Sequence, residues 1–69
     1  MNKLKEFRER YKLTQEDLAQ KLKIDRSSVA KWESGENHPR LKYLFAMSKI
    51  FQCKIEDLIK FEEVKQNGD

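Results

Sequence analysis

The sequence has little of what staples, ligates or breaks a chain: one cysteine, one histidine, one proline and two glycines in 69 residues. A single Cys53 excludes an internal disulfide, and with it a secreted, cross-linked scaffold. Cys53 and His38 together do not make up a zinc ligand set, so no metal is expected. No Ser-His-Asp or Cys-His arrangement suggests itself, and no glycine-rich loop could cradle a nucleotide. A single small core leaves little room for a substrate pocket, so neither enzymatic activity nor a cofactor is expected. No apolar run approaches the ~20 residues that span a bilayer. The opening Met1-Asn2-Lys3-Leu4-Lys5-Glu6 lacks the apolar stretch of a secretory leader. A cytoplasmic location with no membrane association is the expectation.

What the sequence does have is charge. Asp, Glu, Lys and Arg make up 39% of it, fifteen basic residues against twelve acidic, and the net +3 permits a polyanionic partner without requiring one. Hydrophobic residues, at 38%, suffice for one helical core in which each helix buries one stripe. Residues 1–61 read as one domain and residues 62–69 as a polar tail.

The apolar spacing predicts five short helices, hence an all-α fold. Leu4, Phe7 and Tyr11 recur at helical spacing and predict a first helix over residues 2–11. Thr14-Gln15-Glu16-Asp17 is a capping-box variant that opens a second helix with Leu18, Ala19 and Leu22 inward. Lys23-Ile24-Asp25 is long enough only for a turn. Asp25 suits the N-cap of a third helix, residues 26–34, with Val29 and Trp32 inward and Gly35 at its end. Glu36-Asn37-His38-Pro39 is a loop. A fourth helix over residues 41–51 packs through Leu44, Met47, Ser48 and Phe51. A fifth, residues 55–60, offers Ile55, Leu58 and Ile59. Trp32, three residues from Val29, and Cys53 both read as core residues rather than as a base-stacking ring or a redox thiol.

The segment from Gln15 to Ser34 is the informative one: two short helices and a three-residue turn. Helices that cross at a wide angle over so short a turn need a small residue where their backbones approach, and Ala19, fifth in the segment, supplies it. Leu18, Leu22, Ile24, Val29 and Trp32 occupy the inward positions, leaving Arg26, Ser27, Ala30, Lys31 and Ser34 outward. With Leu13-Thr14-Gln15-Glu16-Asp17-Leu18-Ala19, Ser28-Val29-Ala30-Lys31-Trp32-Glu33-Ser34-Gly35 and Pro39, the chain resembles the Cro and lambda-repressor-like helix-turn-helix family, also called the xenobiotic-response-element family. The resemblance covers roughly residues 3–60, including Ile55-Glu56-Asp57-Leu58. It implies a compact five-helix domain, helix-turn-helix at helices two and three, that binds double-stranded operator DNA as a dimer.

Matched position by position, the resemblance assigns base reading in the major groove to Arg26, Ser27, Ala30 and Lys31. Chemistry supports it: Arg26 and Lys31 can donate to guanine O6 and N7, and Ala30 can touch a thymine methyl. Gln15, at a helix N-terminus, is expected to hold a phosphate, as are Ser28 and Ser34. Arg40 and Lys42 put positive charge at a helix N-terminus, where the macrodipole disfavours it by ~0.3–1 kcal/mol each. A bound phosphate would reverse that sign, so these two and His38 are expected to anchor the DNA backbone. Arg8 and Glu33 match a pair that the family uses as a semi-buried structural ion pair. The sequence departs from the family at Lys12 and Lys23, turn positions where glycine is common and positive φ is needed. It also carries Lys54 where a capping Ser or Thr is usual, which predicts a poorly capped fifth helix.

One helix-turn-helix covers few base pairs, so two copies one turn apart, ~34 Å, are expected. Phe45, Ile50, Ile59 and Phe61 exceed what a core this small requires and are the expected seam of a homodimer on a palindromic operator. Repression is the expected outcome of binding. Two rival readings remain at this point. One is an antitoxin-like chain that neutralises an unknown protein partner and also binds its own promoter. The other is a degenerate helix-turn-helix used only for assembly, which would show no salt-dependent DNA affinity.

Overall fold

The computed structural model describes residues 3–58, and the regular secondary structure over them is all helical, with no strand among the described residues. The elements are α1 (Leu4–Arg10), α2 (Gln15–Leu22), α3 (Arg26–Ser34), α4 (Leu41–Ile50) and α5 (Ile55–Leu58). The expected tail and the residues Ile59 and Phe61 lie outside the described residues.

Each helix contributes the stripe that its spacing dictates. Leu4 and Phe7 from α1, Leu18, Ala19 and Leu22 from α2, and Val29 and Trp32 from α3 meet Leu44, Met47, Phe51 and Leu58 in one core. Full burial of such a side chain is worth about 1.5–3 kcal/mol, so this cluster carries the stability of the fold. Phe7 stacks on Phe51 with ring centroids 5.9 Å apart, and Trp32 meets Tyr43 at 5.5 Å. The backbone closes the unit, for the Lys3 N–H donates to the Leu58 carbonyl at 2.6 Å, tying the entry to α1 to the last turn of α5. Tyr11, expected inward, instead sits on the rim. Its ring packs 5.5 Å from Phe51 while its hydroxyl donates to the Phe51 carbonyl at 2.9 Å, so the polar tip draws the residue to the surface.

The shortage of glycine shows at the helix ends. After α1, α2 and α3 the chain turns into the left-handed region at Lys12 (φ 59°), Lys23 (φ 61°) and Gly35 (φ 85°). The same two bonds close each end: Leu13 N–H to Arg8 and Lys12 N–H to Glu9, Ile24 N–H to Ala19 and Lys23 N–H to Gln20, Glu36 N–H to Lys31 and Gly35 N–H to Trp32. These are Schellman closures, which favour glycine at the left-handed residue. Gln52 (φ 52°) takes the same conformation after α4, beside a bond from the Cys53 N–H to Ser48. Only one of the four sites holds the residue that suits it.

The starts of the helices are more varied. Thr14 and Asp17 form a complete capping box, with Asp17 N–H to Thr14 Oγ1 and Thr14 N–H to Asp17 Oδ2 both at 2.9 Å. Asp25 has the extended backbone of an N-cap, yet its side chain makes no cap hydrogen bond. Lys54 is better served than expected: its N–H donates to Asp57 Oδ2 at 3.2 Å, so half of a capping box is present without a capping side chain at position 54.

Candidate nucleic-acid interface

The surface of α3 is divided by its periodicity. At about 100° per residue, Arg26, Ser27, Ala30 and Lys31 span an arc of about 140° centred opposite Val29 and Trp32. Burial follows that division. Val29 is fully buried and Trp32 only 6% exposed, whereas Arg26, Ser27 and Lys31 are exposed and Ala30 half-buried. Because α2 packs across α3, with Ala19 buried at 1% exposure, the outer face of α3 is left clear.

Arg8 and Glu33 sit behind this face. Arg8 Nε donates to Glu33 Oε2 at 2.5 Å and Nη2 to Oε1 at 3.2 Å, while Nη1 donates to the Leu13 carbonyl at 2.7 Å. Arg8 is only 8% exposed, yet every side of its guanidinium is answered. The hydrogen bond to Glu33 raises its pKa against the opposing effect of burial, so it stays charged. The pair ties α1 to the end of α3.

Gln15, the first residue of α2, extends this set outward. Its Nε2 donates to Glu33 Oε1 at 3.0 Å and its Oε1 accepts from Arg26 Nη1 at 3.3 Å. A continuous line of hydrogen bonds therefore runs from the Leu13 carbonyl through Arg8, Glu33 and Gln15 to Arg26. No local sequence signal marks the Gln15–Glu33 link, because it joins residues on two crossing helices.

The remaining residues expected to contact the DNA backbone are in different states. His38, Arg40 and Lys42 are exposed, and Ser28 is half-buried. Arg40 is the N-cap of α4 and makes no side-chain cap hydrogen bond, since a guanidinium has no acceptor to offer. Lys42 Nζ rests 5.1 Å from the centre of the Tyr43 ring, on a shallow groove of about 400 Å³ shared with Lys21 and Lys23. Those two lysines add positive charge that the pattern of α2 alone did not single out. Ser34 differs from the rest: its hydroxyl donates to the Lys31 carbonyl at 3.0 Å and accepts from the Glu36 N–H at 3.3 Å. Its one proton serves the end of α3, so contact with a phosphate would require that bond to be given up.

On α4, Phe45 is 52% exposed and Leu41, one turn before it, 59% exposed. The pair forms an apolar patch, and Leu41 escaped notice in the sequence although its spacing of four from Phe45 was there to read. Ile50, by contrast, packs against the core. Cys53 is half-buried, and burial, with the nearby Asp57 carboxylate, pushes its thiol pKa up, away from the reactive thiolate. Among the described residues no group of acidic, His or Cys side chains could hold a metal ion, and no helix is long and apolar enough to cross a membrane.

This arrangement agrees with known proteins. The family model described as helix-turn-helix matches residues 4–58. An uncharacterized HTH-type transcriptional regulator of Methanocaldococcus jannaschii is 45% identical over 62 residues, which are 90% of this chain and 94% of that protein. The HTH-type transcriptional regulator DicA of Escherichia coli is 44% identical over 86% of this chain and 44% of its own length. The HTH-type transcriptional activator BcrR of Enterococcus faecalis is 40% identical over 90% of this chain, which spans 30% of that longer protein. With a clear outer face on α3, a capped helix-turn-helix and these relatives, the chain belongs to the Cro/C1-type helix-turn-helix family of DNA-binding transcriptional regulators and is not an enzyme.

Proposed function

We propose that the protein is a repressor that binds a palindromic operator as a homodimer, laying α3 in the major groove of each half-site. The outward arc of Arg26, Ser27, Ala30 and Lys31 carries this reading. Arg26 and Lys31 present donors for guanine O6 and N7, and Ala30 an apolar surface for a thymine methyl. Gln15, Ser28, His38, Arg40 and Lys42 hold the backbone on either side of that arc, with Ser34 joining only if its hydroxyl turns. Arg40 and Lys42 gain most, since a phosphate beside them offsets their unfavourable place at the start of α4.

The exposed Leu41–Phe45 pair supports the dimer, because a half-site reader of this size needs a second copy and an apolar patch is the surface a copy would cover. Ile59 and Phe61 complete the proposed seam. Ile50, only partly covered by the core, is the remaining α4 residue of the proposed seam. Repression is favoured because occupying a promoter is enough to block it, whereas activation needs a further productive contact. One relative, BcrR of Enterococcus faecalis, is named an activator, so the reporter assay below decides the sign for this chain.

Selection of bound sequences from a random double-stranded pool tests the reading. The expected product is a palindrome with half-sites about 10 base pairs apart and guanine in each. Affinity should fall steeply with salt, because Lys and Arg on phosphates release counterions. Arg26→Ala should cost about 1–3 kcal/mol and relax preference at one base pair per half-site. Sedimentation should show a dimer on the operator, and a promoter–reporter fusion should fall when the protein is expressed. A pool that yields no motif, with binding indifferent to salt, would overturn the proposal.

A further inference from the structure

We infer that Glu33 is a positioning residue for DNA specificity, acting through Gln15 on Arg26, in addition to being the ion-pair partner of Arg8. This inference rests on the proposed role of Arg26 as a base reader. The Gln15 side-chain amide has one acceptor end and one donor end. Its donor end meets Glu33 Oε1 at 3.0 Å and its acceptor end meets Arg26 Nη1 at 3.3 Å. Turned over, it would set its carbonyl against a carboxylate and its amino group against a guanidinium. Both neighbours therefore select the same orientation, and neither works with the other.

Glu33 can impose that orientation because it is itself held. Arg8 grips both carboxylate oxygens through Nε and Nη2, and the Leu13 carbonyl takes Nη1 from the other side. The Arg8 and Glu33 side chains are 10% and 7% exposed. The direction of the amide is thus fixed from a nearly buried anchor, while Arg26 at the far end is exposed. A long arginine free in solvent samples many rotamers, and a fixed acceptor beside it narrows them before DNA arrives. The Gln15 amino group still has a second proton, so it can give one to Glu33 and one to a phosphate.

The same orientation makes position 26 a site for a donor. With the carbonyl of Gln15 turned outward, a side chain that can only donate, as arginine does, is the one it supports. Glu33 thereby bears on which bases the protein prefers although it lies behind the surface that would meet them.

The test is sequence selection with the full-length chain carrying Gln15→Leu, Glu33→Gln, Arg26→Ala or the double change Arg26→Ala/Gln15→Leu, each checked for folding by thermal melting. Gln15→Leu cuts the line and leaves the ion pair in place. It lowers affinity for all sequences by the phosphate contact it loses, a shift that cancels in ratios between sequences. Both Gln15→Leu and Glu33→Gln should reduce discrimination about three- to tenfold, the size of one hydrogen bond, at the base pair that Arg26→Ala erases. Preferences at the other base pairs should hold, and the double variant should discriminate no worse than Arg26→Ala. If Glu33→Gln does not fold, Glu33→Asp keeps a charge for Arg8 while withdrawing the oxygen from Gln15, and the same loss is expected. Folded Gln15→Leu and Glu33 variants that keep full discrimination at that base pair would overturn the inference and leave Glu33 a structural partner alone. An unchanged motif with Arg26→Ala would instead overturn the underlying reading of Arg26.

Discussion

Arg8 and Glu33, 25 positions apart, meet through two hydrogen bonds while the third arm of the guanidinium closes on the Leu13 carbonyl. The ion pair is nearly buried, so its energetics are those of two charges withdrawn from water together. Such a pair adds little over a well-packed apolar pair, but breaking it strands one charge and costs about 3–5 kcal/mol. A domain this size has roughly 3–10 kcal/mol in total. Arg8→Met is therefore expected to be largely unfolded or close to it in urea denaturation. The double change Arg8→Met/Glu33→Leu, which leaves no orphan charge, should recover most of the loss. A single variant within 1 kcal/mol of the parent would show that the pair is screened by solvent.

Among the described residues, three that are not glycine hold the left-handed conformation: Lys12, Lys23 and Gln52. An L-residue there has its Cβ pressed against the carbonyl that follows, at a cost of roughly 1–2 kcal/mol, while glycine has none to press. Glycine also gains freedom in the unfolded chain, which offsets part of the benefit. Lys12→Gly and Lys23→Gly are each expected to stabilise the fold by about 0.5–1 kcal/mol, and the two should add because they close different helices. Chemical denaturation of the single and double variants measures this. Destabilisation by either change would mean that the lysine stem packs well enough to outweigh the backbone strain.

The fifth helix carries half of a capping box. The Asp57 carboxylate accepts from the Lys54 N–H at 3.2 Å, and the Asp57 N–H reaches only the Lys54 carbonyl, at 2.9 Å. Lys54→Thr supplies a hydroxyl for that second N–H and is expected to stabilise by about 0.5–1 kcal/mol. The gain should appear as a higher melting temperature. It should be absent in Lys54→Val, which has the shape of threonine without the hydroxyl, if the new cap hydrogen bond is its source.

What the sequence made legible, and what it hid, divides along the range of the interaction. The helix-turn-helix was readable because its determinants are local: Thr14 with Asp17, the small Ala19, Gly35 after Ser34, and the inward period of Val29 and Trp32. The shift of Tyr11 to the rim was not, since it depends on the Phe51 carbonyl 40 residues away. Asp25 looked like a cap from its type and place, but a cap needs a side-chain rotamer that no window of sequence records. Ser34 looked available to DNA because its hydroxyl bond to Lys31 is a matter of rotamer too. Gln15 is the sharpest case. Its place at a helix start was plain, but its partners Glu33 and Arg26 are set by how α2 crosses α3. The resemblance to a family supplied the pairing of Arg8 with Glu33, which spacing alone does not imply.

Asp17 gives the fold a predictable acid limb. The Thr14 backbone N–H, and next the Thr14 hydroxyl, hold its carboxyl below the usual carboxylate range. The sign follows from linkage: a carboxylate whose pKa is lower in the folded state adds stability above its unfolded pKa of about 3.9 and loses it as pH falls through the folded value. Carboxyl NMR should therefore give Asp17 a midpoint below that of an unstructured aspartate. Asp17→Asn should melt below the parent at neutral pH, and the gap should close as the pH drops below that midpoint. Thr14→Ala, which removes the hydroxyl but keeps the backbone N–H, should raise the Asp17 midpoint only part of the way. A midpoint at or above about 3.9 in the parent would show that the capping box does not bind the ionised carboxylate in solution, and the stability of α2 would then have to come from packing alone.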